Sequence, residues 1–124
     1  MSRVLVVDAD EARREALTGA LAREWIRAEA VASGEEALAA LEEGAPGVVV
    51  IDARLPGLTG VGLLHQLRRD PRRAHLRVVL VSPRDEELDR CVALELGADD
   101  VVDRPFSVRE LVLRVRALLR GPGA

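Results

Sequence analysis

Two aspartate positions stand directly after apolar segments of the sequence. Asp52 follows residues 48–51, which are three valines and an isoleucine. Such a β-branched run is typical of a strand that is buried on both faces, as in a parallel sheet. Asp8 follows a similar run at residues 3–7, and Asp10 comes two residues later. Because ligands of open α/β sheets bind beyond the carboxyl ends of the strands, we expect these carboxylates to serve ligand chemistry rather than packing.

The elements that would position these carboxylates alternate along the chain. Apolar runs predict five strands, at residues 3–7, 26–31, 47–51, 77–81 and 100–103. Apolar residues at helical spacing predict five helices, at residues 11–24, 34–43, 59–69, 85–96 and 108–120. We expect the last of these helices to bury Val108, Leu111, Val115 and Leu118. Serines at 33 and 107, each followed three residues later by a glutamate, mark two helix starts.

Regular alternation with short connections predicts an α/β fold. We expect a doubly wound, five-stranded parallel sheet of order 2-1-3-4-5 with five helices, of the flavodoxin-like class. The switch point of this order lies between the first and third strands, which lead into Asp8 and Asp52. Ser82 follows the fourth strand and Arg104 the fifth, at the same edge of the sheet. We therefore expect all four side chains to lie in one crevice at this edge of the sheet.

Length and composition restrict the class of protein further. The 124 residues suit one domain, which we place at residues 1–120, and residues 121–124 predict a linker stub or a disordered tail. The net charge of -3 is too small to indicate a nucleic-acid or membrane partner. The single cysteine, Cys91, excludes an internal disulfide and is most simply a helix residue that faces the core. Because no long apolar segment or signal-peptide pattern is present, we expect a cytoplasmic protein.

The sequence around the four positions resembles the receiver domain of response regulators in two-component signalling. The resemblance is carried by Ile-Asp-Ala-Arg-Leu-Pro-Gly at 51–57, by Leu-Glu-Leu-Gly-Ala-Asp-Asp at 94–100 and by Arg-Pro-Phe at 104–106. It implies that Asp52 accepts a phosphoryl group from a histidine kinase and thereby switches a protein–protein interaction. It also implies that Ser82 and Arg104 bind the phosphoryl oxygens.

The resemblance further implies a magnesium site. A carboxylate is a poor nucleophile toward another anion, and a divalent cation cancels charge between them. In the family, Mg²⁺ is held by an acidic pair, the phosphoacceptor and a backbone carbonyl, which correspond to Asp8 and Ala9, Asp52, and Arg54. An alanine cannot ligate a hard cation, so we expect Mg²⁺ binding to be weak or absent. Asp10 is an alternative ligand and equally a candidate N-cap of the following helix.

Two further departures from the family pattern leave alternatives open. Arg104 stands at the family's lysine position, and Val101 stands where an aromatic residue reports the phosphorylation state. These changes favour a receiver-like interaction module without phosphoryl transfer, in which Arg104 is an ion-pair partner of Asp8 or Asp52. A phosphatase of the haloacid-dehalogenase type also matches the acidic turn. That class needs a lysine, which the chain lacks, so we do not expect an enzyme.

The C-terminal part of the sequence resembles receivers that are joined to winged-helix DNA-binding domains. The resemblance implies a DNA-binding output domain outside this chain and a homodimer through the fourth helix, fifth strand and fifth helix. The matching interface positions are Arg90, Asp99, Asp100, Glu110 and Arg114. The arginines at 68, 69, 72, 73 and 77 have no aromatic residues between them, which predicts a solvated face rather than a direct nucleic-acid contact.

Overall fold

Parallel strands form the centre of the fold, and helices cover both faces of the sheet. The computed structural model describes residues 3–82 and 90–121, apart from the side chain of Arg90. Within these ranges the strands are β1 (Arg3–Val7), β2 (Arg27–Val31), β3 (Val48–Asp52), β4 (Arg77–Ser82) and β5 (Asp100–Asp103). The helices are α1 (Glu11–Arg23), α2 (Gly34–Glu42), α3 (Gly60–Arg69), α4 (Arg90–Glu95) and α5 (Val108–Arg120).

The strand order is β2-β1-β3-β4-β5, and all neighbouring strands are parallel. The predicted fold class and topology are therefore confirmed. Strands β3 and β4 each extend one residue further than predicted, so Asp52 and Ser82 are the last residues of their strands. Their backbones are thereby fixed by the sheet and not by a loop.

Alternating strand residues divide the core into two layers. Leu5 and Val7 of β1 face the layer that contains α2 and α3, whereas Val4 and Val6 face the layer that contains α1 and α5. Successive strand side chains point to opposite faces, and helices on both faces leave neither side in water. This explains why β3 is buried at every position.

Two residues predicted to face the core are instead exposed. Cys91 is exposed because α4 buries Ala93, and a residue two positions away lies about 200° around the helix. Val108 is 36% exposed because α5 contacts the sheet through Leu111, Val112 and Val115, and the first turn projects beyond that contact. Both predictions were wrong for reasons of helix orientation.

Two predicted features fall partly outside the described residues. The predicted start of the fourth helix at residue 85 lies outside the described residues, and so do residues 122–124 of the predicted tail. Among the helices that are described, none is long and apolar enough to cross a membrane.

Candidate functional site

Strand register brings three polar side chains to the carboxyl edge of the sheet. Strands β1 and β3 pair up to the residues that precede Asp8 and Asp52, and Asp52 pairs with the residue before Ser82. The relative exposures of Asp8, Asp52 and Ser82 are 4%, 3% and 1%, and they are the buried polar or charged residues in the described part of the chain. Buried carboxylates require nearby cations or hydrogen-bond donors, so their neighbours decide what this site can do.

Backbone N–H groups hold one oxygen of each carboxylate. Oδ1 of Asp8 accepts from the backbone N–H of Asp10 at 2.9 Å, and Oδ1 of Asp52 accepts from the backbone N–H of Arg54 at 3.0 Å. Each bond spans two residues and fixes the side chain against its own turn. These backbone bonds do not use Oδ2 of either aspartate, so this oxygen can form ion pairs with arginine side chains from other elements.

Arg13, in the first turn of α1, supplies one of these cations. Its Nε donates to Oδ2 of Asp8 at 2.8 Å and its Nη2 donates to Oδ1 at 3.0 Å, so the pair is bidentate. Its Nη1 lies 3.1 Å from Oδ2 of Asp10, and its Nη2 lies 3.5 Å from Oδ2 of Asp52. One guanidinium group therefore connects three carboxylates.

These contacts raise the pKa of Arg13 above the ordinary arginine range. The largest cause is the side-chain hydrogen bond to Asp8. The charges of Asp8, Asp10 and Asp52 act in the same direction, whereas partial burial acts against them. Arg13 therefore carries its positive charge wherever the protein is folded.

Arg104 approaches the same carboxylates from the segment after β5. Its Nη2 lies 2.7 Å from Oδ2 of Asp52 and 3.8 Å from Oδ2 of Asp8. The contact with Asp52 is an ion pair without hydrogen-bond geometry, because the buried Nε and Nη2 atoms of Arg104 direct no N–H at an acceptor in the described residues. The backbone N–H of Arg104 donates to the carbonyl of Ser82 at 2.8 Å, which anchors this segment to β4.

Comparison with known proteins agrees with this geometry. Residues 4–116 match the model of the response regulator receiver domain family. The chain belongs to that family. It is therefore a receiver domain of the two-component type, and the resemblance drawn from its sequence is confirmed.

Individual relatives support the same assignment. The chain is 42% identical over 120 residues to sensory transduction protein RegX3 of Mycolicibacterium smegmatis, covering 97% of this chain and 51% of RegX3. It is 36% identical over 120 residues to the phosphate regulon transcriptional regulatory protein PhoB of Rhizobium meliloti, covering 97% of this chain and 53% of PhoB. The chain thus spans about half the length of the curated relatives it matches.

A solved structure shows the same architecture over almost the whole chain. The Francisella response regulator 1452 receiver domain has a TM-score of 0.89 and 30% identity, covering 97% of this chain and 98% of that one. Receiver domains are generally signalling modules rather than enzymes.

Receiver domains typically bind Mg²⁺ at the acidic site. Ala9 offers no side-chain oxygen. Oδ1 of Asp10 accepts from the backbone N–H groups of Ala12 and Arg13 and caps α1, as one of the two sequence interpretations predicted. No group of three acidic, histidine or cysteine side chains within residues 3–82 and 90–121 is placed to hold a metal. The roles of Asp8, Asp52, Asp10 and the Arg54 carbonyl as metal ligands remain predictions.

Four of the five predicted interface residues are paired within the chain itself. Nη1 of Arg114 contacts both carboxylate oxygens of Asp100 at 2.9 and 2.8 Å, and Nη2 donates to Glu110 at 3.1 Å. The hydrogen bond to Asp100 is the largest cause that raises the pKa of Arg114. Asp99 is bound by Arg68, and the side chain of Arg90 lies outside the described residues.

Sequence reasoning missed Arg13 as a member of the site. One signal was present, because a cation in the first turn of a helix opposes the helix dipole. Such a residue needs a local anion, and Asp10 stands three positions before it. The spacing alone did not show that Asp8 and Asp52 would also lie within reach.

Proposed function

We propose that Asp52 is the phosphoacceptor of this receiver domain, and that a histidine kinase supplies the phosphoryl group. The single observation that carries the proposal is the pairing of buried Asp52 with Arg104. Nη2 of Arg104 lies 2.7 Å from Asp52, while the N–H groups of Nε and Nη2 have no acceptor in the described residues. A phosphoryl group on Asp52 would bring strong acceptor oxygens to these donors.

The proposed transfer is an in-line displacement. One carboxylate oxygen of Asp52 attacks phosphorus, and an O–P bond forms as the phosphorus–nitrogen bond of the donor phosphohistidine breaks. The nitrogen keeps the electron pair of that bond. Charge spreads over the phosphoryl oxygens during the transfer, so fixed positive groups stabilise it. Arg104 and Arg13 both lie within ion-pair distance of Oδ2 of Asp52.

Ser82 is proposed to bind a phosphoryl oxygen through its hydroxyl group. It is 1% exposed and ends β4, directly after the residue that pairs with Asp52. Its backbone carbonyl also fixes Arg104, so the two phosphoryl-binding residues are coupled through one backbone bond. A shift of Ser82 toward a phosphoryl group would therefore also move the segment after β5. Movement of this segment could switch a protein–protein contact.

We also propose that this receiver binds Mg²⁺ weakly or not at all, because Ala9 removes one oxygen ligand. The domain is proposed to act in the cytoplasm as a signalling module and not as an enzyme. A C-terminal DNA-binding output domain outside this chain is proposed from the relatives, which are about twice as long and include transcriptional regulators by name.

A homodimer through α4, β5 and α5 is proposed from the charged residues on that face. Arg114 joins Asp100 and Glu110 in one network whose side chains are 22% to 46% exposed. Such partly exposed ions can exchange partners with a second copy at little cost. Self-association of this kind would weaken as salt concentration rises.

Incubation with acetyl phosphate tests the phosphoacceptor directly. We expect intact-protein mass spectrometry to show one added phosphoryl group on the wild type, and no addition on Asp52→Asn. Asp70→Asn is the matched control, since Asp70 ends α3 at the opposite edge of the sheet and should label as the wild type does. Labelling of Asp52→Asn at the wild-type rate would contradict the assignment, and an unlabelled wild type would contradict the proposed function.

A further inference from the structure

The Arg13 guanidinium lies among the carboxylates that surround a divalent cation in other receiver domains. We propose that it replaces that cation, so that phosphorylation of Asp52 does not depend on metal. This inference rests on the proposed function of Asp52. Arg13 would supply the positive charge that the reaction needs.

The geometry gives Arg13 the contacts that a bridging cation would make. Its Nε and Nη2 donate to the two carboxylate oxygens of Asp8, and its Nη1 lies 3.1 Å from Oδ2 of Asp10. Nη2 also lies 3.5 Å from Oδ2 of Asp52, a distance that permits ionic attraction without a formed hydrogen bond. A phosphoryl oxygen on Asp52 would enter beside an N–H group that is already oriented by Asp8.

Charge balance supports the same conclusion. Among the described residues, Asp8 and Asp52 are the two buried carboxylates, and the guanidinium groups of Arg13 and Arg104 lie beside them. The buried pair is thus neutralised within the chain. A dication would have to displace Arg13 from its bidentate bond or add two positive charges to a pair that is already neutralised, and Ala9 would add no oxygen to compensate.

The position of Arg13 is fixed by the fold and not by chance contact. The helix dipole disfavours a cation in the first turn of α1, so the carboxylates and not the helix account for its placement. Asp10 caps that turn through the backbone N–H groups of Ala12 and Arg13. Arg14 donates from Nη1 to the backbone carbonyl of Asp8 at 2.8 Å, which ties the turn to β1 from a second side. Arg13 is therefore presented to Asp8 in a fixed orientation.

The test measures the rate of labelling by acetyl phosphate, with Mg²⁺ and with a chelator. In this reaction an oxygen of Asp52 attacks phosphorus, and acetate leaves with the electron pair of the broken O–P bond. We expect the wild-type rate to change by less than about twofold between the two conditions. Arg13→Gln keeps N–H donors on a shorter side chain but loses the charge, and should slow labelling in the chelator by roughly tenfold or more. Arg23→Ala, in the last turn of the same helix, is the charge-matched control and should label as the wild type does.

A rescue variant reverses the dependence on metal. Ala9→Asp with Arg13→Ala restores the acidic pair and removes the guanidinium, so labelling should become faster by about tenfold in Mg²⁺ than in chelator. Broadening of backbone amide NMR signals by Mn²⁺ provides a readout that does not need phosphorylation. Signals of residues 52–54 should broaden in the double variant and not in the wild type.

The outcomes separate this inference from the function on which it rests. If the wild-type labelling rate is higher in Mg²⁺ than in chelator by about tenfold or more, the metal-replacement inference fails and Asp52 remains the phosphoacceptor. If the wild type stays unlabelled while the double variant labels in Mg²⁺, Arg13 obstructs the site, and both the inference and the proposed function fail. If neither protein is labelled under any condition, the proposed function fails. Thermal melts of each variant show that the measured proteins are folded.

Discussion

Gly60 offers a direct test of how the phosphoacceptor strand is supported. A Cβ atom at this position would lie 2.1 Å from the backbone oxygen of Asp52 and 2.6 Å from the Cα atom of Ala53. Real Cβ atoms essentially never approach closer than 3.0 Å. Both obstacles are backbone atoms, so no side-chain rotation relieves the clash. Gly60→Ala must therefore push α3 and the end of β3 apart by about 0.9 Å.

The cost of this separation can be estimated from packing data. Forcing extra carbon into a packed site costs about 1–3 kcal/mol, and an alanine in a helix recovers roughly 0.5–1 kcal/mol of backbone entropy. The shift also stretches the hydrogen bond from the Gly60 N–H to the Ala53 carbonyl, which is already 3.2 Å. We expect a net loss of about 2 kcal/mol, or about 8 °C in Tm for a domain of this size.

Gly19→Ala is the matched control for this prediction. A Cβ atom there meets only the tip of Arg23 at 3.7 Å, which is ordinary contact, in the middle of α1. This variant should be more stable than the wild type by roughly 0.5–1 kcal/mol. Thermal melts and urea unfolding followed by circular dichroism measure both changes. If Gly60→Ala melts at or above the wild-type temperature, the close approach of α3 to Asp52 is wrong.

Two further predictions concern the C-terminal end of α3. Arg68 donates to the backbone carbonyls of Leu76 and Gly97 at 2.6 and 2.8 Å. We therefore expect Arg68→Ala to lower the free energy of unfolding, measured by urea unfolding, by about 2 kcal/mol. Arg69 is exposed, so Arg69→Ala should change the same free energy by less than about 0.5 kcal/mol. Equal effects of the two substitutions would refute the bridging role of Arg68. The pKa of Asp70 lies below its ordinary value of 3.8, chiefly because the backbone N–H of Arg72 donates to it and secondarily because of the Arg72 side chain. The small contribution of Asp70 to stability is therefore present above pH 3.8 and is lost as the pH falls through the lower folded-state pKa. NMR titration of Asp70 should show this lowered pKa. Arg72→Ala should remove only part of the shift, because the backbone N–H of residue 72 still donates to Asp70.

The sequence by itself determined the topology and most of the site. Short β-branched runs separated by amphipathic helices allow few arrangements, because parallel strands need right-handed crossovers and each apolar face must be covered. The same logic places Asp8, Asp52, Ser82 and Arg104 at one edge, since the carboxyl ends of parallel strands all meet there. Patterns over a few residues carried this information, and the structure confirmed it.

Only the tertiary structure decided where Arg13 points and which carboxylates it joins. Asp8 and Asp52 are 44 positions apart in the chain, and the direction of Arg13 depends on how the turn at Asp10 leads into α1. The outward orientations of Cys91 and Val108 were decided in the same way, by rotation of each helix against the sheet. Helix rotation is set by the sum of packing contacts across the core, which no local pattern specifies. For this reason a site that resembles a metal centre in sequence holds a guanidinium group in the folded protein.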